Sequence, residues 1–288
     1  MQPNPNADQL RQLLATGKLF VTPCCGEALT AKLIQQAGFE LTFVSGFGIS
    51  ASRLGLPDTG LISFGEMFNQ VQNIAEAVSI PLLVDGDTGY GNALNVRRTV
   101  QSYAKIGVAC VMIEDQVAPK RCGHTRGKQV VDRETAFRRI KAAVDSRDDG
   151  HDVLIMGRTD SLESLGIEEA ILRANEFRRL GADITFVESP RSIDSLKQIC
   201  DEVDGPKMAN MLEGGLTPIL PPAELEKLGF SIASYPFTLL MSSIRPMQKA
   251  LAKMRAGEIP ESGMTFDELK TIVGFDEYYA MESRFEDR

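Results

Sequence analysis

Two short stretches of this sequence hold most of its reactive side chains. The first is Leu83-Val-Asp-Gly-Asp-Thr-Gly-Tyr-Gly-Asn92. Asp85 and Asp87 stand two apart, and on an extended backbone that spacing points both carboxylates to one side. Converging carboxylates repel unless a proton or a cation lies between them. Glu114, from a second apolar run, can complete a three-carboxylate site for a hard divalent ion, with water filling the remaining positions. The chain has only two histidines, His124 and His151, so a multi-histidine site is excluded. Carboxylate ligands favour Mg²⁺ or Mn²⁺. The plainer reading of the same residues is an Asp-Gly turn followed by a glycine loop. A phosphate cradle fits less well, because Gly89-Tyr-Gly91-Asn-Ala-Leu lacks the third glycine of the dinucleotide fingerprint.

The second stretch is Lys120-Arg-Cys-Gly-His-Thr-Arg-Gly-Lys128. Lys120, Arg121, His124, Arg126 and Lys128 crowd around Cys122 in a chain of net charge -8. Nearby cations lower a thiol's pKa and make it a proton donor or acceptor near neutrality. Gly123 and Gly127 give the loop freedom to move as a lid. The plain alternative is a solvated basic loop with an incidental cysteine. Cys24, Cys25, Cys110 and Cys200 lie in apolar or helical contexts and read as packing residues. His151 follows Asp-Asp-Gly and reads as an exposed loop residue. Five cysteines at these spacings fit neither a disulfide framework nor a zinc site, which suits a reducing cytoplasm.

The elements that must carry these groups alternate along the chain. Apolar runs at Leu19–Cys24, Leu41–Ser45, Leu82–Asp85, Cys110–Glu114, Leu154–Thr159, Ile184–Glu188, Lys207–Asn210 and Ser231–Tyr235 read as strands covered on both faces. Helical periodicity is clearest at Asn92–Ile106, Asp132–Arg147, Ile167–Leu180 and Ser192–Val203, and Ser63-Phe-Gly-Glu66 reads as a capping box opening a helix through Val78. Gly38, Gly107, Gly181 and Gly229 each stand between a helix and the next strand, where a left-handed residue is needed. This alternation predicts a (β/α)8 barrel, an α/β fold that uses roughly 250 residues. The chain has 288. The predicted catalytic domain is 1–256, and a helical tail at 257–288 falls outside the eight-fold count. In such a barrel the reactive groups gather where the strands end. Here the strands close on Ser45, Asp85, Glu114, Arg158, Glu188, Asn210 and Tyr235. The acidic balance argues against nucleic acid or an anionic membrane as partner, and no apolar run approaches the ~18 residues of a membrane span. The amino-terminal residues lack the basic and apolar regions of a signal peptide.

Taken in order, Ser45-Gly46, Asp85-Gly-Asp87-Thr-Gly-Tyr-Gly, Glu114-Asp115, Lys120-Arg-Cys-Gly-His124, Gly157-Arg158-Thr-Asp160, Glu188 and Asn210 resemble the phosphoenolpyruvate mutase/isocitrate lyase superfamily. The likeness runs from about Leu19 to Met247 and is strongest to its short carbon–carbon lyases, those of 2-methylisocitrate and of the petal-death group. The resemblance implies Mg²⁺ on Asp85 and Asp87, with Glu114 acting mostly through water. It also implies a substrate carboxylate held by Ser45, Gly46, Arg158 and Asn210, and Cys122 as acid/base. Lys120, Arg121 and His124 would tune the thiol, with Glu188 orienting His124. It further implies a homotetramer, a dimer of dimers, whose C-terminal helices swap between subunits. Mutases of the superfamily typically carry Asn where Cys122 stands, and true isocitrate lyases are much longer. Two departures matter. The family's Ser-Gly-Gly cradle reads Ser45-Gly46-Phe47, and the segment after Asn210 reads Met-Leu-Glu-Gly-Gly215, without the hydroxyl expected to bind a third carboxylate.

These readings converge on a Mg²⁺-dependent lyase cleaving a 2-alkylmalate- or oxaloacetate-type dicarboxylate through an enolate protonated by Cys122. The rivals are 2-methylisocitrate lyase, oxaloacetate decarboxylase, a phosphonate-forming or phosphonate-cleaving mutase, and a non-catalytic barrel.

Overall fold

The computed structural model describes residues 3–125, 127–261 and 263–285. Arg126 of the basic loop, Ser262 and the last three residues of the tail lie outside the described residues. Eight strands form one closed parallel barrel: β1 (Phe20–Cys25), β2 (Thr42–Val44), β3 (Leu82–Asp85), β4 (Cys110–Glu114), β5 (Leu154–Thr159), β6 (Ile184–Val187), β7 (Lys207–Asn210) and β8 (Ile232–Tyr235). Neighbours pair in chain order, and β1 closes on β8 with Val21 opposite Ala233. The predicted strands hold to within a residue or two at each end, and the predicted α/β barrel is the fold.

The strands are apolar on both faces because each face has its own core. Cys110 and Met112 of β4 join Cys24, Phe43, Leu83, Met156, Ile184, Phe186 and Met208 in one cluster that fills the barrel. Val111 and Ile113, pointing the other way, pack with Val84, Val100, Tyr103, Ile140 and Phe177 from the surrounding helices. Ala7 and Leu10 close the end of the barrel from which the strands start. They belong to a helix at Pro5–Ala15 that the periodicity reading did not single out. Its cap, Asn4, is buried and donates from Nδ2 to the carbonyls of Val108 and Asp152, at 2.8 and 3.0 Å. The capping box at Ser63 and Glu66 forms and opens the helix Phe64–Ala77. Gly38, Gly107, Gly181 and Gly229 all take positive φ, between 80° and 106°, as helix exits require.

By compactness the chain divides into Met1–Leu239 and Leu240–Arg288. The helix Thr238–Arg255 therefore falls mostly with the tail, and it has no buried residue. The helical tail expected at 257–288 is not one helix. Gly274, at φ 94°, ends one helix at Phe266–Val273 and caps the next at Phe275–Glu282. Phe266, Leu269, Val273 and Phe275 are exposed in the chain. Among the described residues, no helix is long and apolar enough to cross a membrane.

Candidate active site

The acidic side of the site is built at the end of β3. Asp85 is its last residue, and its Oδ1 accepts the backbone N–H of Asp87 at 3.0 Å. Asp87 does not continue the strand as the two-residue spacing predicted. It sits in the left-handed region at φ 48°, a conformation uncommon for a residue with a side chain. Its backbone is held there because Gly86 N–H donates to Met112 and Asp87 carbonyl accepts Glu114 N–H, at 2.9 and 3.0 Å. The two carboxylates converge through this turn and not through strand alternation. A glycine keeps space beside them. Gly46 N–H donates to Asp85 Oδ2 at 3.3 Å, and a Cβ at Gly46 would lie 2.6 Å from that oxygen and 3.6 Å from Asp87 Oδ1. Burial pushes the Asp87 carboxyl up to about 6, opposed by Lys120 and reinforced by Asp85 and Asp58. Burial also holds Glu114 well above the carboxylate range, although Arg158 opposes it.

The basic loop folds over this acidic cluster, and Lys120, His124 and Lys128 each meet a specific carboxylate. Lys120 Nζ lies 2.7 Å from both Asp58 Oδ2 and Asp87 Oδ1, and all three side chains are buried. Burial alone would lower the Lys120 ammonium, but Asp87, Asp85 and Asp58 hold it well above its ordinary value. Lys128 Nζ lies 3.3 Å from Asp160 Oδ1 and 3.4 Å from Glu163. His124 Nε2 is 3.1 Å from Glu188 Oε1. Its Nδ1 faces the backbone N–H of Leu216 at 3.1 Å and so must accept. That contact leaves Nε2 as the ring nitrogen that faces Glu188. Two glycines permit the close fit. A Cβ at Gly123 would meet Arg158 Nη2 at 2.5 Å, and one at Gly215 would meet His124 Nδ1 at 2.8 Å.

These pairings overturn one expectation about Cys122. Its thiol was expected to be lowered by basic neighbours. Burial instead raises it, with Asp58 and Glu188 adding to the rise against Arg158. The reason is that burial dominates while Lys120 is spent on two carboxylates and His124 is turned to Glu188. Cys122 is therefore a protonated thiol at neutral pH.

At the end of β5, Arg158 stands among three acids. Its Nε and Nη2 grip Asp160 at 2.8 and 3.0 Å, and they reach Glu114 at 3.3 Å and Glu188 at 3.1 Å. Its guanidinium lies 5.3 Å over the Phe186 ring. One cavity of about 50 Å³ brings together Ser45, Phe47, Asp85, Lys120, Arg121, Cys122, His124, Arg158, Glu188 and Asn210 of the predicted site. Gly46, Asp87 and Glu114 stand directly behind its wall, through the contacts given above. The Ser45 hydroxyl is already engaged, accepting Gly48 N–H at 3.1 Å as a helix cap. Phe47 packs against Phe237 with ring centroids 4.2 Å apart, so the bulk read from the sequence is an aromatic wall of the cavity.

Four participants escaped the sequence reading. Asp58 comes from the Leu-Gly-Leu-Pro-Asp loop after β2, where its only signal was an acid in an otherwise uncharged turn. Phe237 follows the strand end at Tyr235. Asp160 was named with Gly157 and Arg158 in the motif but given no role. Cys24 was read as packing, yet it lines the cavity with its Sγ 3.1 Å from Ser234 Oγ. His151, read as exposed, is half-buried with Nδ1 3.1 Å from the Ser146 carbonyl.

The residues present suit a hard divalent cation. Glu114 Oε1 and Asp58 Oδ1 are buried without a hydrogen-bond partner, and the glycine gap at Gly46 leaves Asp85 and Asp87 approachable. Among the described residues, no three acidic, thiol or imidazole side chains converge tightly enough to form a closed ligand set by themselves.

Comparison with known proteins agrees with this architecture. The family model for phosphoenolpyruvate phosphomutase matches residues 10–255. A 2,3-dimethylmalate lyase of Eubacterium barkeri is 40% identical over 97% of this chain and 98% of its own length. A chloroplastic carboxyvinyl-carboxyphosphonate phosphorylmutase of Arabidopsis thaliana is 38% identical over 98% of this chain and 86% of its own. A solved oxaloacetate acetylhydrolase, in complex with 3,3-difluorooxalacetate, superposes with a TM-score of 0.94 at 33% identity, covering 98% of each chain.

Proposed function

The chain belongs to the phosphoenolpyruvate mutase/isocitrate lyase superfamily, a superfamily of lyases and mutases, and from that premise we propose a carbon–carbon lyase acting on a small 2-hydroxy or 2-oxo dicarboxylate. The observation that carries this reading is the cavity in which the half-buried Cys122 thiol shares one wall with Arg158 and the Asp85 side of the acidic cluster. Relatives of both reaction classes match the chain, so the choice rests on the site. A thiol in the lid supplies the proton that carbon–carbon cleavage needs and phosphoryl transfer does not.

Arg158, Asn210 and the Ser45–Gly46 backbone would bind the substrate's carboxylates. Asp58, whose Oδ1 is unpaired at the cavity, would take the proton from the C2 hydroxyl, or from the C2 hydrate that water forms on a 2-oxo acid. C2 then becomes a carbonyl, the C2–C3 bond breaks, and its electron pair passes to an enolate of the departing acid. Cys122 delivers its Sγ proton to the enolate carbon and is left as thiolate. A raised thiol suits this task, because it keeps its proton until a strong carbon base forms. His124, held between Glu188 and Leu216, would fix the lid segment beside that thiol. A Mg²⁺ or Mn²⁺ held by Asp85 and Asp87, with Glu114 one step removed, would stabilise the negative charge that develops on the substrate oxygens.

The cavity's size and the Phe47–Phe237 wall favour a short dicarboxylate, of 2-alkylmalate or oxaloacetate type, over a tricarboxylate. The test is a panel of 2-alkylmalates, oxaloacetate, 2-methylisocitrate and phosphonopyruvate with Mg²⁺ and mass detection of products. We expect the short dicarboxylates to be cleaved at least about tenfold more efficiently than 2-methylisocitrate, or about 1.4 kcal/mol in transition-state binding. Preference for 2-methylisocitrate or for phosphonopyruvate would reject the reading. Oxaloacetate that loses only CO₂ would return the decarboxylase. The exposed apolar residues of the tail further suggest burial against other copies in a tetramer, which light scattering at micromolar concentration checks.

A further inference from the structure

The loop that carries Cys122 is tied down at its neck. Gln116 and Val130 form an antiparallel bridge, and Val117 N–H donates to the Gln129 carbonyl at 2.8 Å. The Gln116 side chain holds Arg121 through both of its backbone groups, each at 2.9 Å. The last residue of the loop, Val131, is held on both sides. Its N–H donates to the Asp115 carbonyl at 2.9 Å, and its own carbonyl accepts Arg173 Nη1 at 2.9 Å. The same Nη1 lies 3.0 Å from Asp115 Oδ2. Asp115 in turn accepts the Thr159 hydroxyl at 2.6 Å and Asp160 N–H at 2.9 Å. Asp160 is the acid that grips Arg158 with both oxygens and lies beside Lys128 of the loop. Arg173 and Asp115 are both buried, and neither lines the cavity.

We propose that Arg173, in the helix Ile167–Arg179, is a positioning residue that joins the hinge of the Cys122 loop to the Arg158 carboxylate clamp through Asp115 and Val131. A single planar guanidinium spans the loop end, the end of β4 and the helix carboxylate Glu169, whose Oε1 accepts Nε at 2.7 Å. A buried carboxylate and a part-buried carbonyl are both held by one group, so removing it frees two anchors at once. Lysine cannot replace it. A lysine ammonium keeps the charge but lacks the planar fork that reaches all three acceptors.

The inference rests on reading residues 116–131 as the lid of the proposed site, and the test does not depend on turnover. Wild type, Arg173→Lys, Arg173→Met and Glu169→Gln are alkylated with iodoacetamide, with and without oxalate and Mg²⁺. Cys122 labelling is followed by mass spectrometry, and amide exchange by the same method. Faster opening of the lid raises both rates in proportion to the open population. We expect Arg173→Lys to label Cys122 roughly tenfold faster than wild type, with faster exchange at Val117 and Val131. Glu169→Gln, which weakens the outer contact to Nε and the exposed pair with Arg133 but leaves Asp115 and Val131 held, should stay within about threefold. Arg173→Met should exceed the lysine variant if it folds. The lysine variant, which keeps the charge opposite Asp115, decides the question if it does not. Labelling of Arg173→Lys at the wild-type rate overturns the proposal. Equal acceleration in Glu169→Gln also overturns it, because general loosening of the helix would then explain the effect. Failure of the lyase reading would show separately, as wild type inert on the substrate panel with the labelling difference intact.

Discussion

The acidic turn after β3 and the basic loop after β4 face each other across one cavity, but they are held in opposite ways. The acidic turn is fixed by its own backbone. Asp85 accepts the N–H two residues on, Gly86 and Asp87 are bonded to the neighbouring strand end, and Asp87 stays left-handed under those constraints. The basic loop is fixed by side chains that reach far along the sequence. Lys120 reaches Asp58, His124 reaches Glu188 and Leu216, and Lys128 reaches Asp160. A turn held locally keeps its carboxylates converged whether or not substrate is present. A loop held by a few ion pairs can leave and return, which is what admitting substrate and then excluding water requires.

The largest effect should come from the rigid side. Asp85→Ala removes one of the two converging carboxylates, and turnover should fall below detection. Excess chelator should do the same to wild type and added Mg²⁺ or Mn²⁺ should restore it. Full activity in chelator would detach the acidic turn from the chemistry altogether. On the mobile side, Cys122→Ser should cost roughly 10²–10⁴-fold in kcat, because a serine hydroxyl is too weak an acid to replace the thiol. Binding of an unreactive dicarboxylate, measured by calorimetry, should survive. A serine variant near the wild-type rate would reduce the loop to a cover.

A smaller effect separates closing from chemistry. Gly215→Ala places a methyl group 2.8 Å from His124 Nδ1 and should push the imidazole off its seat. We expect about a tenfold loss in kcat/KM, with Cys122 more open to alkylation and the melting temperature little changed. An alanine variant that closes normally would show that His124 does not hold the loop. The smallest effect is on pH. The Asp87 carboxyl is raised to about 6, so it is protonated below that value and must lose the proton to bind a cation. Affinity for Mn²⁺, measured by calorimetry, should be flat above about pH 7 and fall by up to about tenfold per pH unit below 6. The sign for stability is the reverse. In metal-free protein, a carboxyl raised above its unfolded value favours folding at low pH, and that contribution is lost as pH rises through about 6.

Most of the barrel was legible because its signals are local. Strand β4 reads as five apolar or terminal-acid residues in a row, and both of its faces are buried. Gly107 before it and the helix after Asp132 repeat the pattern found at the other strands. The tail was legible only in part, because Gly274 lies inside an apolar pattern that periodicity alone carries through. The site was legible where chemistry is dense in sequence, at Asp85-Gly-Asp87 and Lys120–His124. It was illegible where a single residue arrives from a distant loop, as Asp58 and Phe237 do.

The sequence by itself determined the barrel, the strand ends that carry reactive groups, and the identity of the thiol and the carboxylates. Those follow from residue type and from spacing of a few positions, which set periodicity and turns. The protonation states were decided only by the tertiary structure. Five basic groups near Cys122 in sequence promised a lowered thiol. In the fold Lys120 is taken by Asp58 and Asp87 and His124 by Glu188, so the half-buried thiol lies in an acidic setting. A pKa depends on burial and on which charges stand within a few ångströms, and those neighbours come from strands and loops up to a hundred residues apart in the chain.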